Sequence, residues 1–225
     1  MTLPPLPAQP ADTPWPTEAW PEGAALPAGI PALLDAAFAP EAEAKTGLTD
    51  ALLIVRGGRI VYERYGEGLG PDSTFPSWSK AKSMTQALVG MAVLDGRLDI
   101  HAPADAPEWR SPGDPRADIT LDQLLRMSSG LKFVEDYVPG SVSDVIEMLF
   151  GSGKSDVAAY AAAQPLIHPP GEIMSYASGT TNIVARALAR ALGADRDGFE
   201  AFMRARLFGP LGMRTPVPKF DAAGT

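Results

Sequence analysis

Ser-x-x-Lys occurs twice in the segment Phe75–Thr85, as Ser77/Lys80 and as Ser79/Lys82. On a helix, residues three apart share a face, so each lysine would lie beside its serine. An amine in that place can take the hydroxyl proton as the oxygen attacks a carbonyl, provided burial favours the neutral amine. A serine at a helix start also offers its own N–H to the oxyanion that forms. The spacing alone is weak evidence of chemistry. Ser and Lys are common, and a serine N-cap followed by a surface lysine is the ordinary reading.

A second stretch changes that balance. Pro169-Pro-Gly-Glu-Ile-Met-Ser-Tyr-Ala-Ser178 leads into an apolar helical pattern. Tyr176-x-Ser178 on such a loop could bring a phenol beside the Ser/Lys pair. A phenol next to an ammonium ionises more readily, so the two groups could share one proton as base and acid.

These residues need elements to position them. Residues 1–30 form a proline-dense, extended lead, in which Trp15 and Trp20 could pin the segment to the domain. Ile30–Phe38 reads as a short helix. Ala51–Arg56 and Arg59–Tyr65 flank Gly57-Gly58 and predict a β-hairpin with a two-residue turn. A glycine-rich loop, 66–70, follows. Trp78 to Asp95 is helical in pattern, with Gly96 as its stop, and is apolar on nearly all sides past Gly90, which predicts burial there. Further helices are predicted over 120–128, 142–150, 154–163, 178–192 and 197–207. The organisation expected is the lead, then an N-terminal α/β part over 31–100 with hairpin and nucleophile helix, then a mainly helical region over 101–225.

Composition narrows the function classes. The 225 residues carry a formal charge of −8, the wrong sign for nucleic acid or an anionic membrane surface. There is no cysteine, hence no disulfide, thiol nucleophile or cysteine metal site. No stretch is long and apolar enough to span a bilayer. Residues 1–24 hold no Lys or Arg and no apolar run, so no signal peptide is expected. With Met1 as the native start, a cytoplasmic location is expected.

Other patterns carry little. Gly153-Lys154-Ser155 lacks the glycine that a P-loop needs five residues earlier, where Met148 stands. Gly66-x-Gly68-x-Gly70 is followed by Pro71 rather than a helix, so it is no dinucleotide fingerprint. His101 and His168 are too far apart to suggest a zinc site, and His168 beside Pro169 reads as a turn residue. Glu135, Asp136 and Asp144 read as solvated charges.

In its ordered motifs the chain resembles the serine β-lactamase and penicillin-binding protein superfamily. It is most similar to the class C-like branch of esterases and 6-aminohexanoate-dimer hydrolases. The resemblance rests on Ser77-Trp-Ser-Lys-Ala-Lys-Ser83 with Ala87-Leu-Val-Gly90, Asp95-Gly-Arg-Leu-Asp99, Ile119–Leu131, Pro170-Gly171 with Tyr176-Ala-Ser178, and Leu207–Met213. It implies an α+β fold, an antiparallel sheet flanked by helices plus a mainly helical region. It also implies that Ser79 is the nucleophile, Lys82 its base and Tyr176 a partner in proton transfer, with Ser77 leading into the helix. Ser178 and Tyr137 take substrate-binding positions, although the Tyr137 loop matches loosely. No cofactor or metal is implied. The family's third motif, on a strand that supplies a second oxyanion N–H, has no counterpart before Thr225. The C-terminal sheet strands are therefore expected to be missing, to be completed by further chain or a second polypeptide, and this chain alone is expected to be poorly active. The implied function is a serine hydrolase of a small ester or amide. The alternatives are a β-lactamase or D,D-peptidase, or a truncated binding module of the same fold without catalysis.

Overall fold

The computed structural model describes residues 7–16, 18–138 and 140–225. They form two compact units: one up to Phe75 with Pro210–Pro216, the other Pro76–Gly209 with Val217–Thr225.

The first unit is built on the hairpin. Strands β1 (Ala51–Arg56) and β2 (Arg59–Tyr65) pair antiparallel, and this is the only sheet among the described residues. Gly57 and Gly58 have φ of +56° and +69°, the left-handed pair that a two-residue turn needs to match strand twist. The register runs from Ala51 opposite Tyr65 to Ile54 opposite Tyr62, skips Val61 in a bulge, and resumes with Val55 opposite Ile60.

The proline-rich lead crosses this bulge. Ile60 N–H donates to the Pro21 carbonyl at 2.9 Å, and Gly23 N–H to the Ile60 carbonyl at 2.7 Å. A β-carbon on Gly23 would lie 2.7 Å from Val61 Cγ1, so the close approach requires glycine there. Backbone, then, holds the lead. The expected pinning by indoles is not found, because Trp15 and Trp20 are 68% and 48% exposed.

Helix α1 (Ile30–Asp35), a 3₁₀ turn (Ala36–Phe38) and α2 (Pro40–Thr46) precede β1. Asp35 accepts hydrogen bonds from the Tyr62 hydroxyl and the Arg64 guanidinium, which also lies over the Phe38 ring. None of this unit's described residues is fully buried, and Leu53 and Val55 remain exposed on β1.

The second unit has a true core. Helix α3 (Lys80–Leu94) contributes Leu88, Val89 and Ala92 to it. Gly96, at φ +68°, ends the helix in a left-handed cap, with its N–H on the Val93 carbonyl and the Arg97 N–H on that of Ala92. The predicted burial past Gly90 is confined to Ala92. Val93 and Leu94 point away from the core and are 38% and 83% exposed.

Four short helices follow an N-capping side chain, which satisfies a free N–H of the first turn. Thr120 forms a capping box with Gln123 at α4 (Leu121–Leu125). Ser143 caps α5 (Asp144–Phe150), Asp156 caps α6 (Val157–Ala162) and Asp195 caps α8 (Arg196–Met203). Helix α7 (Ser178–Leu192) runs through the unit and buries Ile183, Val184 and Leu188 on one side. All the predicted helices of this region exist: α4, α5 and α6 are shorter than expected, α7 has the expected bounds, and α8 starts one residue earlier, at Arg196, and continues as a π turn over Arg204–Phe208.

Buried polar groups in this unit are paired. Trp109 Nε1 donates to the Ala162 carbonyl at 2.8 Å. Arg186 makes two bonds to Glu108, at 2.8 and 2.6 Å. Arg116 binds Asp114 and the carbonyls of Ala162 and Gln164. Asp144 is no solvated charge. Its carboxylate accepts from the Val134 N–H at 2.7 Å and the Tyr160 hydroxyl at 3.0 Å. No helix among the described residues is long and apolar enough to cross a membrane.

Candidate active site

Ser79 sits immediately before α3, and Lys82 follows on the first turn. Trp78, just upstream, holds a φ of +44°, a conformation costly for a bulky side chain, and it turns the chain sharply into the helix. Lys82 Nζ lies 3.1 Å from Ser79 Oγ, as three-residue spacing on a helix allows. Lys80 points elsewhere, and among the described residues its ammonium has no partner. Of the two Ser-x-x-Lys phases, only Ser79/Lys82 forms a contact. The Ser77 hydroxyl turns to the Trp78 carbonyl instead, at 3.4 Å.

Tyr176 arrives from the loop before α7. Its hydroxyl lies 2.6 Å from Ser79 Oγ, and its ring lies 5.0 Å from Lys82 Nζ, within cation–π range. The Ser128-Ser-Gly-Leu131 segment holds this loop in place. The Gly171 N–H donates to the Ser128 carbonyl at 2.7 Å, and the Ser175 N–H to that of Met127 at 2.8 Å. The Gly130 carbonyl accepts from both Ile167 and His168. Gly130 has a φ of +76°, and a β-carbon on it would collide with the His168 carbonyl, so glycine is required twice over. His168 is thus a turn residue, as its proline neighbours predict.

Ser178 opens α7. Its hydroxyl lies 2.9 Å from Lys82 Nζ, so Lys82 bridges Ser79 and Ser178. The next residue, Gly179, is closely packed: a β-carbon on it would lie 2.6 Å from the Phe133 ring and 2.8 Å from Ala161 Cβ.

The sequence reading missed one member. Glu135, read there as a solvated charge, accepts the Ser178 hydroxyl proton at 2.6 Å and the Ser178 N–H at 2.5 Å. It stands two residues past Phe133, on the stretch that packs over Gly179. Tyr137 is 57% exposed, and its hydroxyl lies 3.4 Å from Glu135 Oε1. Partial desolvation, followed by the Glu135 carboxylate, holds the Tyr137 phenol above its ordinary pKa.

Chemically, one hydroxyl has an amine and a phenol within hydrogen-bond distance. Among the described residues nothing accepts the Ser79 N–H, which leaves that donor free for a bound oxygen.

Comparison with known proteins bears on the family and the fold. The family model described as Beta-lactamase matches residues 34–221. A 6-aminohexanoate-dimer hydrolase of Paenarthrobacter ureafaciens is 31% identical over 90 residues, which are 40% of this chain and 23% of that protein. Two solved structures share the fold. A candidate beta-lactamase from Bacteroides dorei has a TM-score of 0.59 at 24% identity, over 84% of this chain and 53% of its own. A candidate 6-aminohexanoate-dimer hydrolase from Bacillus anthracis has a TM-score of 0.54 at 22% identity, over 74% of this chain and 43% of its own. The matched region thus spans about half or less of each of these proteins. With the family model covering most of its length and the fold shared, this chain belongs to the beta-lactamase family.

Proposed function

We propose that this chain carries the nucleophile and the proton-transfer pair of a serine hydrolase acting on a small ester or amide, of the esterase or 6-aminohexanoate-oligomer amidase kind. The observation that carries the reading is that Ser79 Oγ sits within hydrogen-bond distance of both Lys82 Nζ and the Tyr176 hydroxyl. The similarity to the Paenarthrobacter hydrolase supports the amide side of the substrate class.

In this reading Ser79 Oγ attacks the carbonyl carbon while its proton passes to the Lys82/Tyr176 pair. The Ser79 N–H, assisted by the start of α3, stabilises the oxyanion. The pair returns the proton to the leaving alcohol or amine, and an acyl-enzyme on Ser79 remains. Water then attacks the ester with the pair again as base, and Ser79 is released. Every step balances with these side chains and water. Among the described residues this reading assigns one oxyanion donor, the Ser79 N–H. Each such donor is worth about 10²- to 10³-fold in rate.

The test is intact-mass spectrometry after exposure to excess fluorophosphonate, beside a Ser79→Ala control. One covalent adduct, lost in the control, is expected. An adduct that persists in the control, or no adduct on a folded chain, overturns the assignment.

A further inference from the structure

We infer that Glu135 is a positioning residue, which sets the direction of the hydrogen-bond chain from Glu135 through Ser178 and Lys82 to Ser79. The inference rests on the reading of Ser79 as nucleophile.

An ionised carboxylate only accepts hydrogen bonds. At 2.6 Å from Glu135 Oε1, the Ser178 hydroxyl therefore spends its one proton on the carboxylate. Toward Lys82 it can then act only as an acceptor, so Lys82 must point an N–H at Ser178, 2.9 Å away. An amine has two N–H bonds and one lone pair. With an N–H committed to Ser178, the lone pair is free to face Ser79 Oγ at 3.1 Å. In the ammonium form Lys82 donates to both serines; as the neutral amine that the proposed base must be, it gives a chain that donates in one direction, Ser79 to Lys82 to Ser178 to Glu135. That is the polarity needed for Lys82 to take the serine proton, and aligned hydrogen bonds of this kind strengthen one another. Without Glu135, the Ser178 proton could turn to the Lys82 lone pair and occupy the orbital that should receive the proton of Ser79.

A plainer role competes. The N-cap of α7, Ala177, has no capping side chain, and Glu135 takes the N–H of Ser178 at the helix start. A carboxylate there stabilises a helix whether or not any chemistry follows. Two substitutions separate these roles. Ser178→Ala keeps the backbone N–H for Glu135 and cuts only the hydroxyl link. Glu135→Gln keeps the volume and removes the acceptor-only group.

The experiment measures the rate of Ser79 labelling by fluorophosphonate, with thermal unfolding of each variant alongside. Both single variants should label about 10- to 100-fold more slowly, the scale of a lost hydrogen bond to a charged group. The double variant should be no slower than the slower single variant, because both break one chain. Ser178→Thr, which restores a hydroxyl, should recover most of the rate. Losses that multiply in the double variant overturn the inference, as does an unchanged labelling rate in Glu135→Gln with only a lowered Tm. In either case Ser79 labelling of the parent chain leaves the hydrolase reading intact. No Ser79 adduct on the parent chain removes that reading and this inference together.

Discussion

The Tyr176 hydroxyl lies 2.6 Å from Ser79 Oγ, although 97 residues separate them in the chain. Ser79 is fixed by the start of α3, and Tyr176 by a loop whose backbone is bonded to Met127, Ser128 and Gly130. The contact therefore depends on a loop clamped by main-chain hydrogen bonds, in which each donor has one acceptor. Such a loop presents the phenol in one place, and in the proposed reaction preorganisation of this kind would lower the cost of reaching the transition state.

Tyr176→Phe separates the hydroxyl from the ring. The ring position against Lys82 survives, and with it the cation–π contact. Acylation should fall about 10²- to 10⁴-fold, the usual contribution of a positioned acid–base group. Thermal unfolding should barely move, because Tyr176 is 43% exposed and belongs to no core cluster. Rates of fluorophosphonate labelling and a melting curve on one preparation check both halves.

The two lysines of the paired motif should behave oppositely. Lys82→Ala removes the group that touches both Ser79 and Ser178, and labelling should fall about 10²-fold or more. Lys80→Ala removes an exposed side chain, and labelling should stay within about twofold. A Lys80→Ala variant as impaired as Lys82→Ala would reverse the phase of the motif.

Legibility in the sequence followed the range of the forces involved. The hairpin was readable because Gly57-Gly58 and the flanking β-rich runs act over a few residues. Helix starts were readable at Thr120, where the cap and its partner Gln123 stand three apart. Spacing alone could not choose between Ser77/Lys80 and Ser79/Lys82. Resemblance made the choice, and the side-chain contacts agree with it. Glu135 was unreadable for a physical reason: its partner Ser178 is 43 residues away, and no periodicity links a loop carboxylate to a distant helix start. The close approach of Gly179 to Phe133, which brings the two together, has no local signature either. Trp15 and Trp20 misled because large aromatics usually bury, whereas here the lead is held by the carbonyl of Pro21 and the N–H of Gly23.

Acid should destabilise the helical unit through named carboxylates. Hydrogen bonds from the Arg116 side chain and backbone hold the Asp114 carboxyl down to about 2, against an ordinary value of 3.8. For Glu108, burial is the largest single influence and would raise the pKa, but the hydrogen bonds from Arg186, a bond from its own backbone N–H and the charges of Arg186 and Arg190 together outweigh it and leave the carboxyl below its usual value. A carboxyl with a depressed folded-state pKa binds its proton more readily in the unfolded chain, so it adds stability at pH values above the unfolded pKa. For Asp114 that contribution is complete above about pH 4 and is lost as the pH falls toward 2. Asp114→Asn should therefore have the lower Tm at neutral pH, and the gap from the parent chain should close as the pH falls through that window. Melting curves at several pH values between 6 and 2 check this, and a gap that stays constant down to pH 2 would mean the Arg116 pair does not set the acid limb.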